Sequence, residues 1–106
     1  MRFVYLFRGG EDSPEDQQEA RMAKWGAWID DLGEAFVDGA PFGEGGKILT
    51  GRDEPAKDGS FGDGMQEVGG YIIVNAESME QAVELARGCP AYEVKGLVEI
   101  REAIEM

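Results

Sequence analysis

The sequence predicts a single α+β domain whose strands and helices follow in the order β-α-β-β-α-β. Residues 2–8 and 67–77 are rich in β-branched and aromatic side chains and are apolar at both odd and even positions, which is typical of strands. Two other segments carry apolar residues three and four positions apart, which is typical of amphipathic helices. Because the chain has 106 residues, we expect these elements to form one domain.

The first strand, RFVYLFR, alternates its side chains between the two faces of a sheet. Phe3, Tyr5 and Phe7 are predicted on one face, and Val4 and Leu6 on the other. Both faces of this strand are therefore apolar.

The first helix is predicted to start after Ser13, a favourable N-cap, with Pro14 at its first position. Trp28 broadens an apolar stripe that consists of Met22, Trp25, Ile29, Leu32 and Phe36. The spacing predicts a helix of about 20 residues that includes Phe36. Both tryptophans are expected in the core, and the alternative is that one of them lines a ligand pocket.

A weaker strand is predicted at residues 47–52, KILTGR, and a long acidic, glycine-rich loop follows it. The next strand, EVGGYIIVNAE, places Tyr71 and Ile73 on one face and Ile72 and Val74 on the other. Loops of this length inside a small domain are usually either functional or disordered. The loop is therefore the first place to look for a site.

The second helix has clear signals at both ends. Ser78 is its predicted N-cap, and Gln81 completes a capping box three residues later. Gly88 and Pro90 are predicted to end it. Residues 95–103, KGLVEIREA, are predicted as the last strand.

This order of elements predicts a ferredoxin-like fold, with both helices on one side of a four-stranded antiparallel sheet. The helices leave the other side of the sheet uncovered, although that side is also apolar. Monomers rarely expose an apolar patch of this size. We therefore expect a homodimer in which two sheets face each other and enclose a pocket.

Composition excludes several classes of function. The 10 basic and 22 acidic residues give a formal charge of −12, which disfavours binding to nucleic acid or to a membrane surface. The absence of histidine excludes Ser-His and Cys-His catalysis and histidine metal sites. Cys89 is the single cysteine, so no internal disulfide is possible, and a structural role is expected for it.

No cofactor and no metal site is predicted. The acidic residues near the loop do not have the spacing of a calcium-binding loop. The N-terminus does not resemble a signal peptide, and no apolar run is long enough to cross a bilayer. A cytoplasmic protein is the default expectation.

Several segments together resemble the YCII-related proteins. These are the opening MRFVYLFRGGEDS, the helix KWGAWIDDLGEA, the block at residues 51–90 and the closing VEIRE. More narrowly, they resemble the branch named for an Asp-Gly-Pro-Phe motif, which stands here at residues 58–61 with Ser60 in place of the proline. The resemblance implies a dimeric α/β-barrel with a cleft near the motif. A histidine–aspartate pair proposed as catalytic in part of the family has no counterpart, because this chain lacks histidine.

The candidate site is built around the motif. Asp58 is the candidate catalytic group, as a ligand acceptor or general base, and the alternative is that it only fixes the turn with Gly59. Candidate ligand-binding residues are Arg8, Tyr5, Ser60, Phe61 and Tyr71. Arg8 could bind a carboxylate or a phosphate, and the alternative is an ion pair within the chain. Phe61 could instead fill the core, and the tyrosines could instead pack in a dimer interface.

Two functions follow as hypotheses. The first is a small cytoplasmic homodimer that binds a small organic ligand in a cleft between the sheet and the central loop, as an enzyme of the isomerase, lyase or hydrolase type. The alternative is a non-catalytic accessory or regulatory module that engages a protein partner. Convergence of Asp58, Arg8 and a tyrosine on one pocket would favour the enzyme.

Overall fold

The computed structural model describes residues 1–10, 14–43, 45–59 and 67–105. The strands are β1 (Arg2–Gly9), β2 (Phe36–Pro41), β3 (Lys47–Ile48), β4 (Lys57–Asp58), β5 (Val68–Asn75) and β6 (Gly96–Ala103). The helices are α1 (Glu15–Leu32) and α2 (Met79–Ala86), and short 3₁₀ turns lie at Gly33–Ala35 and Pro90–Val94.

Four strands form an antiparallel sheet in the order β2-β5-β1-β6. Tyr5 of β1 pairs with Ile72 of β5 on one side and with Ile100 of β6 on the other. This order confirms the predicted α+β, ferredoxin-like class, because β1 lies in the middle of the sheet between β5 and β6. It also makes β2 and β6 the edges of the sheet.

Both helices pack against the same face of this sheet, which we call the covered face. Phe3, Tyr5 and Val74 are fully buried there, with relative exposures of 0%. The helices contribute Trp28 and Leu32 from α1 and Ala82 and Ala86 from α2. The rings of Tyr5 and Trp28 stack with their centroids 6.1 Å apart. This layer is the hydrophobic core of the chain.

The predicted end of the first helix was wrong. The helix ends at Leu32, and Gly33 then takes a φ of 55°, which is left-handed backbone that glycine adopts without a steric penalty. Phe36 is the first residue of β2, not part of the helix. Its spacing from Leu32 fits either structure, so helical periodicity alone could not distinguish them. Ser13, the predicted cap, lies outside the described residues.

The predicted second strand of the sheet was also wrong. Of residues 47–52, only Lys47 and Ile48 are in a strand, and they pair with β4 in a separate two-stranded ribbon. The sheet strand is instead β2, with the sequence FVDGAP. Its Pro41 is tolerated because β2 is an edge strand. A Cβ at Gly39 would lie 2.7 Å from the Tyr71 carbonyl oxygen, so this pairing needs glycine.

The signals at the second helix were confirmed. The Oγ of Ser78 accepts a hydrogen bond from the backbone N–H of Gln81 at 3.1 Å. The side chain of Gln81 in turn accepts from the backbone N–H of Glu77 at 2.6 Å. These two bonds satisfy donors that would otherwise be unpaired at the start of α2.

Residues 45–59, which we call the arm, project from the rest of the domain. Nearly all of them are exposed, and only Ile48 and Gly51 are half-buried. The radius of gyration is 15.4 Å, whereas a compact domain of this length is expected near about 13 Å. No residue of the arm belongs to the core described above.

Candidate functional site

The face of the sheet opposite the helices, the open face, carries large apolar side chains. Val4 and Leu6 of β1 and Tyr71 and Ile73 of β5 are half-buried there. Leu97 of β6 is 43% exposed. Strand alternation places these residues together, because β1 pairs with both β5 and β6. The open face is thus apolar, and in the described part of the chain it remains partly exposed to solvent.

A cleft of about 620 Å³ lies between one end of the sheet and the arm. Arg8 and Glu67 border it from the sheet side, and Lys47 and Leu49 border it from the arm. Phe42, which follows β2, lines it between these two sides. The cleft therefore combines an apolar wall with charged groups of both signs, which is the usual character of a site for a small polar ligand.

Arg8 is held in place by an ion pair across β1 and β6. Its Nε donates to the Oε1 of Glu99 at 2.8 Å, and its side chain is only 18% exposed. The hydrogen bond from Arg8 is the main reason that the pKa of Glu99 lies below its usual range, and a second bond from Arg101 adds to this. The structure thus contains the ion pair that was the alternative interpretation of Arg8, and it also places Arg8 at the cleft.

Asp58 lies in the arm and pairs with Lys47 across the ribbon. The two side chains are 87% and 67% exposed, and the Nζ of Lys47 donates to the Oδ1 of Asp58. Gly59 has a φ of 113°, as expected for the turn signal at this position. Asp58 is therefore beside the cleft, but it does not have the burial that would favour a carboxylate as a general base.

The two candidate tyrosines lie on opposite faces of the sheet. Tyr5 is fully buried on the covered face, and its hydroxyl donates to the Ala82 carbonyl at 2.6 Å. Burial raises the pKa of Tyr5 to about 12, with smaller contributions from Tyr92 and Cys89. Tyr71 lies on the open face, and its ring centroid is 5.8 Å from that of Phe42. Only Tyr71 is therefore carried forward as a candidate ligand contact.

Ser60 and Phe61, the remaining candidates, lie outside the described residues. Phe42 and Lys47 were not predicted, although both line the cleft. Phe42 lies in the stretch PFGEGG, whose proline and glycines indicate a loop and no site. In the structure its ring packs on Tyr71. Lys47 was taken only as the start of a weak strand. Its role became visible only in the structure, where Lys47 pairs with Asp58 across the ribbon.

The tryptophans and the cysteine lie on the helix side of the sheet. Trp28 is buried, and its indole N–H donates to the Leu85 carbonyl at 3.1 Å. Trp25 is half-buried and meets Phe7 edge to face at 5.1 Å. Burial raises the pKa of the Cys89 thiol to about 11, and its Sγ accepts from the Ala91 N–H at 3.4 Å. These contacts describe an unreactive thiol.

The described ranges contain neither a metal-ligand cluster nor a membrane-spanning helix. No group of three or more cysteine, aspartate or glutamate side chains within them is placed to hold a metal ion. None of their helices has the length and apolar character needed to cross a membrane.

Comparisons with known proteins identify the family. No curated protein matches the sequence. Among solved structures, the chain is similar to 5-chloro-2-hydroxyhydroquinone dehydrochlorinase (TftG) from Burkholderia phenoliruptrix AC1100, in a complex with 2,5-dihydroxybenzoquinone. The TM-score is 0.60 at 17% sequence identity, and the match covers 100% of this chain and 96% of the other. The family model for the YCII-related domain matches residues 1–106, so the chain belongs to the YCII-related family.

Proposed function

We propose that this protein is a small cytoplasmic homodimer that binds a small planar organic acid in the cleft between the sheet and the arm. We further propose that it acts on this acid as an enzyme of the isomerase, lyase or hydrolase type. One observation carries the proposal: Arg8, Lys47 and Phe42 come from separate parts of the chain and line a single concave cleft.

The open face supports the homodimer. It carries half-buried Val4, Leu6, Tyr71 and Ile73, and the adjoining Leu97 is exposed. Burial of apolar surface contributes roughly 25 cal/mol per Å², so a second copy of this face is a favourable cover. The projecting arm exposes Leu49 at 65%, and a partner's surface would shelter it. A second copy would also close the cleft against water.

Two of the three charged residues that line this cleft, Arg8 and Lys47, are cationic, which supports an anionic ligand; the third is Glu67. The Nε of Arg8 is fixed by Glu99 and the side chain is partly buried, so this guanidinium would lose little side-chain entropy on binding a ligand. The Lys47–Asp58 pair is mostly exposed, and such pairs contribute only about 0–1 kcal/mol. Lys47 can therefore exchange Asp58 for a ligand carboxylate or enolate at little cost. In a chain with a net charge of −12, these are scarce positive groups.

The wall of the cleft favours a planar ligand. Phe42 is exposed beside Tyr71, so one side of its ring is available to a flat ligand. The structural neighbour was solved with 2,5-dihydroxybenzoquinone, a flat and acidic ring. This neighbour supports the choice of ligand class by analogy of fold.

Two carboxylates are the candidates for proton transfer. Glu67 lines the cleft, and Asp58 lies beside it on the arm. Either carboxylate could accept a proton from a ligand bound within hydrogen-bond reach. The chain has no histidine, so among the described residues at the cleft these carboxylates are the candidate acid–base groups.

The test is titration of the purified protein with 2,5-dihydroxybenzoquinone, followed by absorbance and by amide NMR shifts. We expect one ligand per chain and binding that weakens at least about tenfold in Arg8→Gln, the loss expected when one charged contact is removed. Arg87→Gln is the matched control, since Arg87 forms an exposed ion pair with Glu84 and does not line the cleft. Equal affinity in both variants, or no binding in the wild type, would overturn the proposed site.

A second candidate function is an accessory module that engages a protein partner. The exposed Leu49 on the projecting arm favours it, because apolar residues on such projections often dock on another protein. The two functions differ in the ligand titration: a module predicts no change in the amides that line the cleft. They also differ in the double variant Asp58→Asn/Glu67→Gln, which would abolish turnover in an enzyme and leave partner binding intact.

A further inference from the structure

A second cavity lies on the other side of the sheet from the cleft. It has a volume of about 390 Å³ and opens between α1 and the paired strands β2 and β5. Phe7, Trp25, Ile29 and Phe36 form its apolar walls. All four are half-buried, so the cavity reaches into the margin of the core rather than lying on the surface. Its size is within the range of small-molecule sites.

The lining of this cavity has no charge. None of the described residues that border it is an aspartate, glutamate, lysine or arginine. A charged ligand would lose its hydration here without gaining a counter-ion, and this desolvation is costly. The aromatic walls, in contrast, suit the face or edge of a flat ring. The cavity therefore selects against the anions that the cleft favours.

Gly26 gives a second, independent reason to regard the cavity as a site. It lies in the interior of α1 and borders the cavity. Glycine inside a helix lowers its stability relative to alanine. A Cβ at Gly26 would meet no atom within 4 Å, so packing in the chain does not require glycine here. The absence of a side chain does, however, keep this side of the cavity open.

We infer that the cavity between α1 and the β2–β5 edge binds an uncharged, planar, mainly apolar molecule of one or two fused rings. The ring lies against Trp25 and Phe36, and Gly26 leaves the space through which it enters. This site is separate from the anion-binding cleft, and it stands whether or not the proposal for the cleft holds.

The test uses indole as the neutral probe and indole-3-carboxylate as its charged counterpart. Amide signals of Gly26, Gly39 and Gly70 report on this cavity, because all three residues border it. We expect indole to shift these three signals with saturation at one molecule per chain. The carboxylate is expected to bind here at least about tenfold more weakly, because its charge finds no partner.

Substitutions at Gly26 give the structural control. Gly26→Leu fills the mouth of the cavity and is expected to weaken indole binding at least about tenfold. Ala20→Leu adds the same side chain on an exposed position of α1 away from the cavity, and it should leave binding unchanged. Gly26→Ala should raise the thermal midpoint of unfolding and weaken indole binding less than leucine does, which keeps the test valid if the leucine variant folds poorly.

Three results would overturn the inference. The first is no shift at the three glycine amides with indole at millimolar concentration, as expected if a partner chain fills the cavity in the dimer. The second is equal indole affinity in Gly26→Leu and Ala20→Leu. The third is equal affinity for indole and its carboxylate at these amides. A failure in the cleft would instead change only the response of Arg8→Gln to 2,5-dihydroxybenzoquinone, so the two failures are distinguishable.

Discussion

The two faces of the sheet are similar in sequence but differ in how they are buried. On the covered face, Phe3, Tyr5 and Val74 are 0% exposed and lie beneath both helices. On the open face, Val4 and Ile73 are apolar as well but remain half-buried. The covered face is buried by helices of the same chain, and the hydroxyl of Tyr5 donates to the Ala82 carbonyl there. The open face is left with apolar surface, an ion pair and a cleft at its end.

This difference predicts that stability and function depend on different faces of the sheet. Residues of the covered face should govern the free energy of unfolding of the chain. Residues of the open face should govern association and ligand binding, because their burial depends on what the chain meets in solution. Each of the following substitutions tests one side of this division.

The largest effect is expected on the covered face, for Trp28→Ala. Removing a buried tryptophan leaves a cavity and should lower the free energy of unfolding by about 3–5 kcal/mol. The Leu85 carbonyl would also lose its donor. The measurement is urea unfolding followed by far-ultraviolet circular dichroism. A loss below about 1 kcal/mol would mean that the covered face is not the core of the chain.

Tyr5→Phe removes one hydrogen bond from the same face while keeping the ring. The Ala82 carbonyl then loses its donor in a buried position, which should cost about 1–3 kcal/mol. Tyr71→Phe is the matched control on the open face and should change the unfolding free energy by much less. Equal losses in the two variants would contradict the division between the faces.

The same tyrosine predicts a loss of stability in alkali. The pKa of Tyr5 is raised to about 12 in the folded protein, above the ordinary value of 10.0. The protonated hydroxyl therefore stabilises the fold fully below about pH 10, and this contribution is lost as the pH rises through about 12. Unfolding measured at rising pH should show this loss in the wild type. Tyr5→Phe should lack this component, and identical alkaline profiles would contradict the assignment.

The ion pair of the open face predicts a smaller effect in acid. Because Arg8 holds the pKa of Glu99 below its usual range, ionised Glu99 stabilises the fold at neutral pH. This contribution is lost as the pH falls through the lowered pKa. Glu99→Gln should therefore be less stable than the wild type at about pH 7 and similar to it at about pH 2. A constant difference across this range would show that the charge of Glu99 is not responsible.

The smallest effect on stability is expected in the arm. Lys47→Ala removes an exposed ion pair with Asp58 and should change the unfolding free energy by about 0–1 kcal/mol. The same variant should weaken binding of 2,5-dihydroxybenzoquinone, since Lys47 lines the cleft. A variant that lost stability but not affinity would place Lys47 among the structural residues instead.

The sequence was sufficient for the fold class, and it also indicated one residue that lines the proposed cleft. The alternation in β1 and β5 and the cap at Ser78 are local signals, and local structure followed them. The strand β2 was missed because Gly39 and Pro41 indicate a turn in isolation, and only its pairing with β5 makes it a strand. Arg8 was identified from its position at a strand end, and the structure places it at the cleft.

The remaining site residues depend on three-dimensional contacts that sequence spacing does not contain. Tyr5 and Tyr71 were grouped because both are on neighbouring strands, but the pairing of Tyr5 with Ile72 puts them on opposite faces. A shift of one residue in the strand register would move a tyrosine to the other face, and this register depends on pairing across the whole sheet. Phe42 became a candidate only through its contact with Tyr71.

The oligomeric state in solution tests the central claim most directly. Sedimentation equilibrium of the wild type at micromolar concentration should give twice the 11.6 kDa mass of the chain. Leu6→Glu, which places a charge in the middle of the open face, should give a folded species at 11.6 kDa with an unchanged far-ultraviolet spectrum. A wild type that sediments as a monomer, or a Leu6→Glu variant that remains a dimer, would contradict the assembly through the open face.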